Sequence, residues 1–209
     1  MTGVNNSADI NGTKASTFGT SNGIVVYNGT VLTNYAGPQI SSSGVYTNTS
    51  QPAFLAALTT QASSVTGNAG VYYLGTAGSG ATTTYFDQGS NLSVISTVLT
   101  FTAPVAGKYF FNSSLLVGSV TSSMTQGYLA ILLNNTANFG LSNYNVAAVR
   151  NTANQASLNG SILISMNAND TAALQCVVQN GSGNTANIYP SSSSGPVYYA
   201  TFWSGYLVC

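Results

Sequence analysis

The run VLTFTAPVAGKYFFNSSLLV, Val98 to Val117, limits what this chain can fold into more than any other stretch. Pro104 and Gly107 interrupt it, and beyond Gly107 the large apolar residues fall on both parities. Tyr109, Phe111, Leu115 and Val117 share one face of an extended strand, while Phe110 and Leu116 share the other. Successive strand side chains point to opposite sides, and a strand with one wet face alternates apolar with polar. This strand does not alternate, so both of its faces require cover. The segment 197–208 has the same property: Tyr199, Trp203 and Leu207 oppose Tyr198, Phe202, Tyr206 and Val208. One face suits a second sheet. For the other, in a chain with almost no charge, the economical cover is another copy of the same surface.

The charge is confined to Asp9, Asp87, Asp170, Lys14, Lys108 and Arg150, with no Glu and no His. Ordinary soluble domains carry roughly a quarter charged residues; here hydroxyls and amides supply the polarity. Nucleic acid is excluded as a partner, because phosphate neutralisation needs clustered Lys and Arg. Acid–base or nucleophilic catalysis has no residue set, since no His is present and the carboxylates are scattered. No catalytic or cofactor-binding residues are expected. Zero net charge also favours association. No apolar run reaches the ~18 residues of a membrane span, so no membrane insertion is expected. The opening MTGVNNSADINGTKAS has neither the basic start nor the apolar core of a secretory signal.

Helix formers are scarce, while β-branched, aromatic and Gly residues abound, which favours strands and turns. Residues 1–50 read as an attachment or stalk segment. Its clearest unit is a hairpin around 23–35, GIVVYNGTVLTNY, where Asn28-Gly29 suits a turn with positive φ at both central positions. An isolated hairpin is marginal in water, so this segment should gain order from neighbours. Residues 51–209 read as one β domain, with strands at 53–59, 71–75, 94–103, 107–118, 126–134, 143–150, 157–166, 171–179 and 197–208. AFLAALTT, 53–60, is ambiguous between strand and helix by its apolar pattern. So many strands separated by turn signals argue a sandwich or barrel.

The residues of the opening run also form Phe-x5-Gly-x-Tyr-x-Phe, at Phe101, Gly107, Tyr109 and Phe111. This resembles the central motif of the complement-1q globular head, a trimeric jelly roll shared with tumour necrosis factor. TFWSGYLVC resembles that family's last strand, at Trp203, Gly205, Tyr206 and Leu207. QPAFLAAL resembles its first strand, and ILISMNANDTAALQCVV its penultimate hairpin, with Asp170 at the turn acid. The four motifs occur in order over about 51–209. The resemblance implies an all-β, jelly-roll β-sandwich that forms a homotrimer, with Phe101, Gly107, Tyr109, Phe111, Trp203, Gly205 and Tyr206 serving the fold and the trimer. Apart from the family, APVAG reads as a tight connection in which Pro104 restricts φ and Gly107 takes positive φ.

Some members of the resembled family hold calcium near the trimer axis. A hard cation wants several oxygen ligands, and only Asp87 and Asp170 stand in the domain, so no metal is expected and these two are the weak candidates. Asp170 in NANDT suits a turn residue. Cys176 and Cys209 read as isolated thiols, and a bond between them is left open. The loops TAGSGATTTYFDQGSN, NNTANFGLSNYN and QNGSGNTANIYPSSSSGP are where recognition is expected, with Tyr85, Phe86, Phe139, Tyr144 and Tyr189 available to stack on sugars; burial in the core or trimer fits these rings equally.

The Gly/Ser/Thr/Asn-rich leader is similar in style to phage tail-fibre and head-fibre sequences. The expected function is therefore a viral structural protein, a fibre or spike on the virion surface. Its trimeric head would bind a host-surface receptor such as a glycan, and residues 1–50 would meet other virion proteins. A capsid decoration protein and a secreted complement-1q-like recognition module remain the alternatives.

Overall fold

In the computed structural model, residues 23–27, 32–40, 46–48, 50–76, 78–190 and 200–209 are described. The chain divides into two compact units, Met1–Ser50 and Gln51–Cys209. In the first, β1 (Gly23–Tyr27), β2 (Leu32–Ile40) and β3 (Tyr46–Asn48) form an antiparallel sheet in that order. Tyr27 pairs with Leu32; the expected Asn28-Gly29 turn lies outside the described residues.

The second unit, the head, begins with β4 (Ala53–Leu58), β5 (Ala62–Thr66), β6 (Val71–Tyr73), β7 (Thr82–Gln88), β8 (Leu92–Ile95) and β9 (Val98–Thr102). It continues through β10 (Gly107–Gly118), β11 (Gln126–Leu133), β12 (Ala137–Tyr144) and one helical turn, α1 (Val146–Val149). It closes with β13 (Ala156–Met166), β14 (Thr171–Gln179), β15 (Ala186–Tyr189) and β16 (Phe202–Leu207). The eight principal strands pair as a nest. β11 pairs β12, β10 pairs β13, β9 pairs β14, and β4 pairs β16, all antiparallel. This is a long hairpin rolled on itself, with its tip between β11 and β12, and it makes the head a jelly roll. Rolling splits the strands between two sheets: β13, β10, β16, β4 and β7 in one, β12, β11, β14, β9 and β8 in the other.

Burial follows the two-residue period. On β10, Tyr109, Phe111, Ser113, Leu115 and Val117 are fully buried between the sheets. The expected Phe-x5-Gly-x-Tyr-x-Phe spacing acquires its reason here. Phe101 lies 5.4 Å from Tyr109 and 5.8 Å from Phe111, measured between ring centroids. Phe54 stacks on Phe101 at 5.1 Å and meets the edge of Trp203 at 4.8 Å. Five rings from four strands thus close one core cluster. Offset and edge-to-face pairs add about 0.5–1.5 kcal/mol each beyond area burial.

Several expectations are corrected by the strand register. The segment 94–103 is two strands, not one. Ser96 (φ 48°) and Thr97 (φ 74°) make a two-residue turn that sets Ile95 opposite Val98; neither is Gly or Asn, so the usual sequence signal for such a turn is missing. The expected strand 143–150 instead ends at Tyr144 and passes into α1, whose cap Asn145 accepts a 3.1 Å bond from the Ala148 amide. The NNTANFG turn shrinks to the three residues Asn134 (φ 50°), Asn135 (φ 55°) and Thr136, leaving Ala137–Tyr144 to pair with β11. TTTYFDQ, read as loop, is the edge strand β7, paired with β4; its β-branched and aromatic residues suit that state. AFLAAL is strand β4, which removes the helix alternative.

Gly107 is corrected in its role. Its φ lies outside the left-handed region. A Cβ there would fall 2.5 Å from Leu207 Cδ1 and 2.7 Å from the Cys209 carbonyl oxygen. Glycine is needed because the last strand crosses close over it, not because of the turn.

Candidate functional site

The side of the first sheet turned away from the core carries a run of exposed apolar side chains. Its rows follow from register. Ala53, Tyr206, Phe110 and Leu163 form one row across β4, β16, β10 and β13. Phe86, Leu55, Ser204 and Asn112 form the next across β7, β4, β16 and β10. Phe110 and Tyr206 pack ring to ring at 5.5 Å. Tyr206 is 46 % exposed, Phe86 50 % and Leu163 52 %. Leu163 was not singled out from sequence, although Ser161-Ile162-Leu163-Ile164 signals a two-faced strand by the same test applied to β10. The motif residues therefore divide by parity: Phe101, Tyr109, Phe111 and Trp203 belong to the core, Tyr206 to the outer face.

All five aromatics expected on recognition loops stand on strands. Tyr85 and Phe86 are on β7 and exposed. Tyr85 is the extra residue of a β-bulge, since Leu55 pairs Phe86 and Ala56 pairs Thr84. Such bulges keep edge strands from adding neighbours. Phe139 and Tyr144 are on β12 and pack against the core, and the Tyr144 hydroxyl donates to the Ser157 carbonyl. Tyr189 ends β15, and its ring lies over Gly118, where a Cβ would sit 1.7 Å from the ring. Only the β7 pair is presented outward. Tyr198 and Tyr199 lie outside the described residues.

The two weak metal candidates are engaged as turn anchors. Asp87 accepts from the Asn91 and Leu92 amides at 2.8 and 2.9 Å, closing the β7–β8 connection. Asp170 accepts from Asn134 Nδ2 at 2.8 Å and from the Asn167 amide at 2.7 Å. These bonds, led by the one from Asn134, hold its carboxyl below the usual carboxylate range. Asn134 in return accepts from the Thr171 amide at 2.7 Å, so the β11–β12 and β13–β14 turns are clipped together. Among the described residues, no three His, Cys, Asp or Glu side chains gather into a metal-holding group. Cys176 is buried in the core and Cys209 exposed, both free. Burial pushes the Cys176 thiol up to about 12, far from a reactive thiolate. No described helix is long and apolar enough to cross a membrane.

No protein-family model matches the chain, and no curated protein is significantly similar to it. Solved structures that share its shape include murine APRIL at pH 8.0, with 11% identity over 76% of this chain and 99% of that chain and a TM-score of 0.46. The globular domain of zebrafish complement 1qA matches at 11% identity over 76% of this chain and 98% of that chain, with a TM-score of 0.45. The jelly roll itself stands on the nested strand pairing above.

Proposed function

We propose that this chain is a homotrimeric attachment protein on the surface of a virus particle, whose head binds a neutral glycan on the host. The observation that carries the trimer is the row Tyr206–Phe110–Leu163, with Phe86 and Leu55 beside it, on the outer face of a sheet whose other face already fills the core. Covering each large apolar side chain contributes about 1.5–3 kcal/mol when complete, so several per subunit support a stable assembly. A ring of three requires unlike patches to meet around the axis. Side chains of the row at the axis meet their own copies, and those farther out seat against a different surface of the next copy.

Composition supports the rest. With only six charged side chains, recognition rests on hydroxyl and amide hydrogen bonds and ring stacking, and binding is weakly salt-dependent. Single sites of that kind are weak, and three of them raise avidity. The hydroxyl- and amide-rich leader, similar in style to phage fibres, supports a place on a virion with residues 1–50 as the attachment segment.

The test is light scattering of the full chain at micromolar concentration, beside Phe110→Ser and Tyr206→Ser. The native chain runs at three times its monomer mass, and each variant releases folded monomers. A native monomer ends the trimer reading. Labelled protein is then imaged on host cells and on purified particles. Capsid binding without any cell binding makes the protein a decoration element.

A further inference from the structure

The outer face of the second sheet holds a feature separate from the row proposed for the trimer. The core side of β14 and β11 is set by Leu174, Cys176, Val178, Leu129 and Ile131. The alternate residues point the other way and fall into three rows by register. Val71, Val177, Tyr128 and Asn143 run across β6, β14, β11 and β12. Tyr73, Gln175, Ala130 and Gly140 form the second row, and Ala173, Leu132 and Asn138 the third. The middle of this grid is floored by small residues. A Cβ built on Gly140 meets nothing within 4 Å, so the space above it is open. Tyr128 and Asn143 rise on one side of it and Asn138 on the other. They bound a depression of ≈ 450 Å³. A second depression, of ≈ 210 Å³, adjoins across the third row, between Tyr73, Leu132 and the end of β8 at Ile95 and Ser96.

Three properties define what fits this trough. Neither depression is lined by Asp, Glu, Lys or Arg, so a charged ligand would lose hydration without meeting a counter-charge. The polar groups present are carboxamides and hydroxyls. Gln175, only 4 % exposed at the centre of the grid, donates through Nε2 to Asn138 Oδ1. That bond orients the Asn138 amide, leaving its Nδ2 free to donate outward. Tyr73 and Tyr128 are half-buried, with burial raising the Tyr128 hydroxyl above its ordinary range. Each is a rigid ring that can stack at little entropy cost. The long axis of the trough runs across strands. From β8 to β12 the sheet is five strands wide, roughly 19 Å between the outer strand axes at ~4.8 Å spacing.

We infer that this trough, floored by Ala130 and Gly140 and walled by Tyr73, Tyr128 and Asn138, binds a linear stretch of uncharged hexose units lying across the strands. The inference rests on the receptor-binding reading above and assigns its site to the sheet face, away from the loops. Sugar rings offer an apolar C–H face to a tyrosine and hydroxyls to carboxamides, which matches the trough's two kinds of wall. The depressions are shallow and open, so each site binds weakly and the assembly provides avidity.

The experiment uses the full chain and neutral oligosaccharides as probes: malto-, cello- and galacto-oligomers of two to four units, with sialylated galactose as the charged comparison. Binding is read by saturation-transfer NMR and calorimetry at up to ~10 mM ligand, where millimolar affinities are visible. At least one neutral series is expected to bind, tighter with length and without help from the sialic acid. Gly140→Val fills the trough where no atom opposes a Cβ, so it should keep the native melting temperature and weaken binding at least ~10-fold, or ~1.4 kcal/mol. Tyr128→Ala should weaken it similarly. Absence of binding by every neutral series overturns the inference, as does unchanged binding in Gly140→Val. Host-cell binding by Gly140→Val separates the two readings: cells bound as well as by the native chain leave the receptor reading standing and remove this site. A native chain that binds the sugars but no cells keeps the site and removes the receptor reading.

Discussion

Gly205 sits opposite Phe111 in the β16–β10 pair, and a Cβ on it would lie 2.6 Å from the Phe111 ring and 2.8 Å from the Phe54 ring. The glycine of Trp-x-Gly-Tyr-Leu is therefore the space into which two core rings fit. Gly205→Ala should cost about 1–3 kcal/mol by forcing those rings off their packing. In a thermal melt that is a drop of several degrees at this chain length. An unchanged melting temperature would mean the rings are not held as described.

Tyr109→Ala and Trp203→Ala each remove a fully buried ring of the same cluster, with an expected loss of ~3–5 kcal/mol, a large share of ordinary stability. Tyr109→Phe separates ring from hydroxyl. The hydroxyl donates to the Val105 carbonyl at 2.7 Å, so this variant should lose only ~1 kcal/mol. Equal losses in Tyr109→Ala and Tyr109→Phe, measured by urea titration, would contradict the core placement.

Alkaline pH should weaken the fold in a defined window. The buried Cys176 thiol is raised from 9.0 to about 12, and burial also raises the Tyr72 hydroxyl above its ordinary 10.0. Below pH 9.0 both folded and unfolded chains keep the thiol proton, so this group leaves stability level. Above it the unfolded chain loses a proton that the folded chain retains, and stability falls by up to ~1.4 kcal/mol per pH unit. Cys176→Ala should delay the onset of that fall to the tyrosine range. A native chain with level stability from pH 8 to ~11 would refute the assignment.

Asp87 and Asp170 already bond backbone amides. A chelator should leave the melting temperature where it is, while Asp87→Ala should cost ~1–3 kcal/mol through two amides left without their acceptor. A large chelator effect would instead place a cation at one of these turns.

By itself the sequence determined the strand-rich class, the Phe101–Gly107–Tyr109–Phe111 rhythm and the need for cover on both faces of β10. These depend on properties a strand carries locally: its two-residue period and its turn residues. It also marked Trp203 and Gly205 as residues of the last strand. It could not tell that Trp203 goes into the core while Tyr206 stays outside, because parity needs an absolute register and only pairing with β10 and β4 supplies one. The Ser96–Thr97 turn was illegible because non-glycine residues hold positive φ there only when the strands on either side are already paired. TTTYFDQ and ANFGLSNY read as loops because edge strands carry polar residues on their exposed side. The trough over Gly140 was equally invisible: Tyr73, Gln175, Ala130 and Gly140 are distant in sequence and become one row only when the rolled hairpin lays β6, β14, β11 and β12 side by side.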